Sequence, residues 1–77
     1  MDYILLFREA RELMENTHSY DSEIASKLDV ILDDSSHGKE YHKTFIDQTL
    51  YECLELFENT HCDETEIYLK IEKHLGI

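Results

Sequence analysis

Apolar residues recur along this chain at three- and four-residue intervals, the period of helices buried on one face. Tyr3, Leu6, Phe7, Ala10, Leu13 and Met14 form one such stripe and predict a helix from about Asp2 to Glu15. Ile24, Leu28, Ile31 and Leu32 predict a second, from about Asp21 to Asp33. A third, from about Lys39 to Glu58, carries a broad stripe of Tyr41, Phe45, Ile46, Leu50, Cys53, Leu54 and Phe57, widened by Tyr51 and Leu56. Ile67, Tyr68, Ile71 and Leu75 mark a fourth, from near Asp63 to about Leu75. No alternating stretch competes as a strand, and the chain has no proline and only Gly38 and Gly76. Asn16 and Asn59 fit as the residues that end the first and third helices, because Asn tolerates the left-handed conformation. Asp21 or Ser22 fits as the cap of the second, and Asp63 stands at capping-box spacing from Glu66 for the fourth.

The pattern repeats. Glu15-Asn16-Thr17-His18 returns as Glu58-Asn59-Thr60-His61, at an offset of 43 residues. At that shift Glu9, Glu12, Leu13, Glu23, Ile24, Lys27 and Leu32 match Glu52, Glu55, Leu56, Glu66, Ile67, Lys70 and Leu75. Residues 3–32 and 46–75 thus share eleven identities in thirty positions, without a gap. A self-match of this kind sets the architecture before propensity does. It predicts an all-α single domain over residues 1–77, a four-helix antiparallel bundle built from two repeated helical hairpins, about 2–34 and 39–76. The intervening Asp34-Ser35-Ser36-His37-Gly38-Lys39 has the only loop-like composition.

Charge changes the picture more than length does. Eighteen acids stand against seven bases, a net charge of −11, beyond the magnitude of about 2–8 that solubility asks of a small domain. Direct binding to nucleic acid is excluded, since displacing counterions from phosphates takes Lys and Arg. A protein that occupies a basic, nucleic-acid-binding surface on a partner is the reverse case. The apolar run Tyr3–Phe7 is far shorter than the roughly 18 residues of a spanning helix and too short for a signal-peptide core. Cys53 and Cys62 are set too far apart by the helical rise to pair, so both are expected as thiols in the cytoplasm.

Candidate chemistry is sparse. Glu-x-x-His occurs twice, as Glu15/His18 and Glu58/His61, the spacing of ferritin-like di-iron sites, for which Glu23 and Glu66 would supply the lone carboxylates. Helical phase turns Glu15 and Glu58 away from their apolar stripes, so they cannot meet in a core. A zinc site from His18, His61, Cys62 and Asp63 lacks paired Cys or His at zinc spacing. No metal, no cofactor and no catalytic residues are expected, and phosphate loops and nucleophile elbows are missing. The tyrosines are expected in the core or at an interface.

What remains is where the acids fall. Two tight hairpins would bring both turns to one pole, gathering Glu12, Glu15, Glu55 and Glu58 from helix ends with Asp21, Glu23, Asp63, Glu64 and Glu66 from helix starts. Arg11 alone opposes them there. Acids at helix starts suit the dipole; acids at helix ends oppose it, at a cost of about 0.3–1 kcal/mol each. Tyr20 is a candidate aromatic anchor among these carboxylates. The expected function is that of a small acidic inhibitor, not an enzyme, which blocks a basic nuclease, toxin or other nucleic-acid-handling effector. In size and charge, without a shared motif, the chain resembles acidic helical immunity proteins, antitoxins and anti-CRISPR or other phage anti-defence proteins. The alternatives are a regulatory or scaffolding module dimerising through Tyr51, Leu54 and Leu56 of helix 3, and a metal-binding helical protein.

Overall fold

The computed structural model describes residues 3–17 and 20–77 and is all-helical there, with no strand. Its helices are α1 (Tyr3–Asn16), α2 (Ser22–Ser36), α3 (Lys43–Asn59) and α4 (Glu66–Leu75). The expected start at Asp2 and the loop residue His18 lie outside the described residues.

One apolar cluster holds the four helices together. Leu6, Phe7, Ala10 and Met14 enter it from α1, Ala25, Leu28 and Ile31 from α2, Ile46, Leu50, Cys53, Leu54 and Phe57 from α3, and Ile67 and Ile71 from α4. Ala25 and Thr49 are buried although the stripes omit them. Thr49 is tolerated because its hydroxyl donates to the Phe45 carbonyl at 2.8 Å, so no polar group is stranded. Tyr51, expected to widen the α3 stripe, is 50% exposed. Helices α1 and α3 each touch every other helix, whereas α2 and α4 do not touch each other. Helices α1 and α3 therefore share the central place.

Helix boundaries moved where side chains cap the backbone. Asp21 caps α2, its carboxylate accepting from the N–H groups of Glu23 and Ile24 at 2.9 and 3.1 Å. Helix α3 starts at Lys43 rather than near Lys39, because the His42 ring nitrogen accepts the Thr44 N–H at 3.1 Å. Tyr41 precedes that helix and donates its hydroxyl to the Asp34 carboxylate while stacking on Phe45. Helix α4 starts at Glu66 rather than near Asp63, and Thr65 is its cap, not Asp63. The Thr65 hydroxyl accepts the Tyr68 N–H and donates to the Cys62 carbonyl at 2.8 Å.

The ends of α2, α3 and α4 close alike. Lys39, Cys62 and Ile77 donate back to Asp34, Phe57 and Glu72, while Gly38, His61 and Gly76 donate to Ser35, Glu58 and Lys73. Each middle residue has positive φ: 84° at Gly38, 63° at His61 and 78° at Gly76. These are Schellman closures, in which glycine is favoured for lack of a Cβ. Asn16 and Asn59 instead end inside their helices, so the left-handed role assigned to Asn59 falls to His61. No helix among the described residues is long and apolar enough to cross a membrane.

Candidate interaction surface

Ion pairs between the chain halves position the acids. Lys70 of α4 donates to the Glu9 carboxylate of α1 at 3.1 Å, and Lys27 of α2 to Glu52 of α3 at 2.9 Å. A shift of 43 turns Glu9 into Glu52 and Lys27 into Lys70, so each pair is the other with its partners exchanged between halves. The Glu9 carboxylate, by accepting the hydrogen bond, holds the Lys70 ammonium above its ordinary pKa. Thr17 and Thr60 are likewise matched, their hydroxyls donating to the carbonyls of Leu13 and Leu56 at 2.7 Å.

Two grooves flank these pairs. One, about 300 Å³, is lined by Glu9, Glu12, Leu13, Asn16, Thr65, Glu66 and Ile67. The other, about 230 Å³, is lined by Asp21, Ile24, Glu52, Glu55, Leu56 and Asn59. Glu9, Glu12, Leu13, Asn16 and Ile67 correspond at the 43-residue shift to Glu52, Glu55, Leu56, Asn59 and Ile24. A third groove, about 350 Å³, lies between α3 and α4 and is lined by Tyr51, Leu54, Glu55, Glu58, Tyr68, Glu72 and Ile77.

The predicted surface residues divide among these features. Glu12 and Glu66 share the first groove, and Asp21 and Glu55 the second. Glu55 and Glu58 share the third. Glu15 is exposed and lies 3.7 Å from Arg11. Tyr20 is 53% exposed, and the Arg11 guanidinium sits over its ring at 5.6 Å. Glu23 is exposed in the first turn of α2, and Asp63 and Glu64 are exposed in the turn before α4. Glu66 also pairs with Lys70 at 3.4 Å, so Arg11 is not the one cation among these acids. Glu9, Glu52, Tyr68 and Glu72 line the same grooves without having been predicted. The repeat held the signal for the first two, since Glu9/Glu52 and Lys27/Lys70 are all identities at the shift.

The chain matches no family model, no curated protein and no solved structure.

Basic residues gather elsewhere. Lys73 and His74 stand in the last turn of α4, and Lys43 beside Tyr3, Asp47 and His74 in a further hollow. Among the described residues no three His, Cys, Asp or Glu side chains are grouped to hold a metal ion. Cys53 is wholly buried, and that burial, helped by the Glu52 carboxylate and opposed by Lys27, pushes its thiol up to about 12. Such a thiol is inert as a nucleophile near neutral pH.

Proposed function

We propose that this chain is a stoichiometric protein inhibitor whose acidic surface covers the basic, nucleic-acid-binding surface of an effector such as a nuclease or toxin. The observation that carries this is the charge at the ends of α1 and α3. Neither helix has a basic residue in its last turn, and Glu12, Glu15, Glu55 and Glu58 are exposed there. Acids so placed oppose the helix dipole at about 0.3–1 kcal/mol each, and among the described residues only Glu15 of the four has a basic partner at ion-pair distance. Complementary charge would speed encounter with a basic target.

The two-hairpin architecture belongs to the same proposal. The exchanged pairs Glu9–Lys70 and Lys27–Glu52, and the matched grooves beside them, support two antiparallel copies related by a pseudo-twofold axis. One groove joins Asn16 to Thr65 and the other joins Asn59 to Asp21, which supports both turns lying at one pole. The cytoplasm suits a chain whose buried Cys53 is a thiol. Dimerisation through the third helix has less to support it. Of its three residues only Tyr51 is largely exposed, for Leu54 is 6% exposed and Leu56 packs against the core.

Co-expression with the product of the adjacent gene tests the proposal. The expected result is a stoichiometric complex that loses nucleic-acid binding, weakens steeply with added salt and fails when Glu12, Glu15, Glu55 and Glu58 are changed together to Gln. A complex indifferent to salt and to those changes overturns it.

A further inference from the structure

The 43-residue shift sets one feature of each half against its counterpart. In the first half Arg11 reaches out between two carboxylates. Its Nε lies 3.0 Å from Asp29 Oδ1, and its Nη2 3.7 Å from Glu15 Oε1. The hydrogen bond to Asp29 raises the guanidinium above its ordinary pKa, against partial burial that lowers it. In the second half the positions of Glu15 and Asp29 are again acidic, as Glu58 and Glu72. The position of Arg11, however, is Leu54, which ends in methyl groups and offers no cation. Tyr51 and Tyr68 stand where the first half has Arg8 and Ala25.

The outcome is the groove between α3 and α4, where Glu58 and Glu72 face a space bounded by Tyr51, Leu54 and Tyr68. Among the described residues neither carboxylate has a basic partner at ion-pair distance. The Tyr68 phenol is raised above its ordinary pKa by burial first, then by the nearby charges of Glu58, Glu72 and Asp63. Glu58 and Glu72 therefore share a groove with the Tyr68 ring, and among the described residues no basic side chain pairs with either.

We propose that this groove receives an arginine side chain from a basic partner, its guanidinium lying between Glu58 and Glu72 as Arg11 lies between Glu15 and Asp29. The first half supplies the precedent: a guanidinium held by equivalent acids and seated over a tyrosine ring. Arginine suits the site better than lysine because its planar fork can meet two carboxylates and stack on an aromatic face at once. The methyl groups of Leu54 would meet the aliphatic part of the incoming side chain. This rests on inhibition through the acidic surface and names the anchor within it.

Two probes decide it, hexa-arginine amide and hexa-lysine amide, each titrated into the full chain and followed by backbone amide NMR. The arginine peptide is expected to shift Glu58, Tyr68 and Glu72 and to bind about fivefold more tightly than the lysine peptide. Replacing Glu58 and Glu72 together by Gln should weaken the arginine peptide about tenfold, since two charge-assisted bonds become neutral ones. The matched pair Asp33→Asn with Glu40→Gln, both exposed and outside the described grooves, should change it less than about twofold. Equal affinity for both peptides, or equal loss from both double variants, overturns the arginine site while leaving a diffuse acidic inhibitor intact. Absence of any salt-sensitive binding by either peptide overturns both.

Discussion

In the first half of the chain Glu15 and Asp29 share a guanidinium; in the second, among the described residues, their counterparts Glu58 and Glu72 have no basic partner. Arg11 ties Glu15 and Asp29 together beneath Tyr20, whereas Leu54 leaves Glu58 and Glu72 facing the tyrosines of an open groove. Elsewhere the halves agree closely. Phe7 matches Leu50, Met14 matches Phe57 and Leu28 matches Ile71, all fully buried, and the two lysine clasps are the same pair exchanged. The difference teaches that matched inward positions can keep their burial while their residues change, and that the identities among the described residues of the first half, such as Glu12, Glu15 and Glu23, fall at exposed or partly buried positions. A surface that lacks the counterion its sister supplies is where an outside counterion is expected.

The comparison can be broken most forcibly in the core. Phe57→Ala should cost about 3–5 kcal/mol and Met14→Ala, at the matching position, about 2–5. Against a total of about 5–15 kcal/mol, either leaves a chain much less stable to heat, measured by circular dichroism. A small loss from one and a large loss from the other would show that the matched positions are not equivalent.

Alkali sharpens the contrast between Cys53 and its counterpart Ala10. Because burial raises the folded thiol to about 12, the unfolded chain loses its proton first, near the ordinary value of 9.0. Stability should be unaffected below that pH and fall by about 1.4 kcal/mol per unit above it, up to the folded value. Cys53→Ala makes the second half like the first and should remove that part of the alkaline slope in urea titrations. An unchanged slope would mean that the thiol ionises without unfolding.

His61 holds positive φ where α2 and α4 use glycine. His61→Gly should therefore raise stability by about 1 kcal/mol through relief of left-handed strain, less the entropy that glycine costs. A lower melting temperature would show that the imidazole makes a contact worth more than the strain. The smallest effect tests the symmetry itself. Lys27→Met and Lys70→Met should each cost no more than about 1 kcal/mol, and about the same amount. Clearly unequal losses would count against the pseudo-twofold axis.

Much of the frame was legible in periodicity. The apolar stripes name most of the buried residues, and Asp21 caps α2 as its type and place suggest. Boundaries were less legible where a cap depends on geometry rather than residue type. His42 seldom signals a helix start, and Thr65 prevails over Asp63 because the closure at His61 and Cys62 spends those residues on the preceding turn. The surface was half legible. Acid positions follow from helix ends, but which lysine meets which carboxylate across 61 residues is written in packing, not in local pattern. Tyr68 shows the same limit, since its stripe position points inward while its phenol lies at the rim of a groove among acids.

The lysine clasps bear on ancestry. On the two-hairpin architecture, a lone hairpin bearing both Glu9 and Lys27 holds the two complementary ends of one clasp. Two such peptides could therefore grip each other reciprocally, as subunits of a symmetric dimer do. Joining them through the short segment 37–42 fixes their partnership within a single polypeptide. On the same architecture, a single polypeptide need not carry the Arg11 guanidinium in both copies, as two identical subunits would.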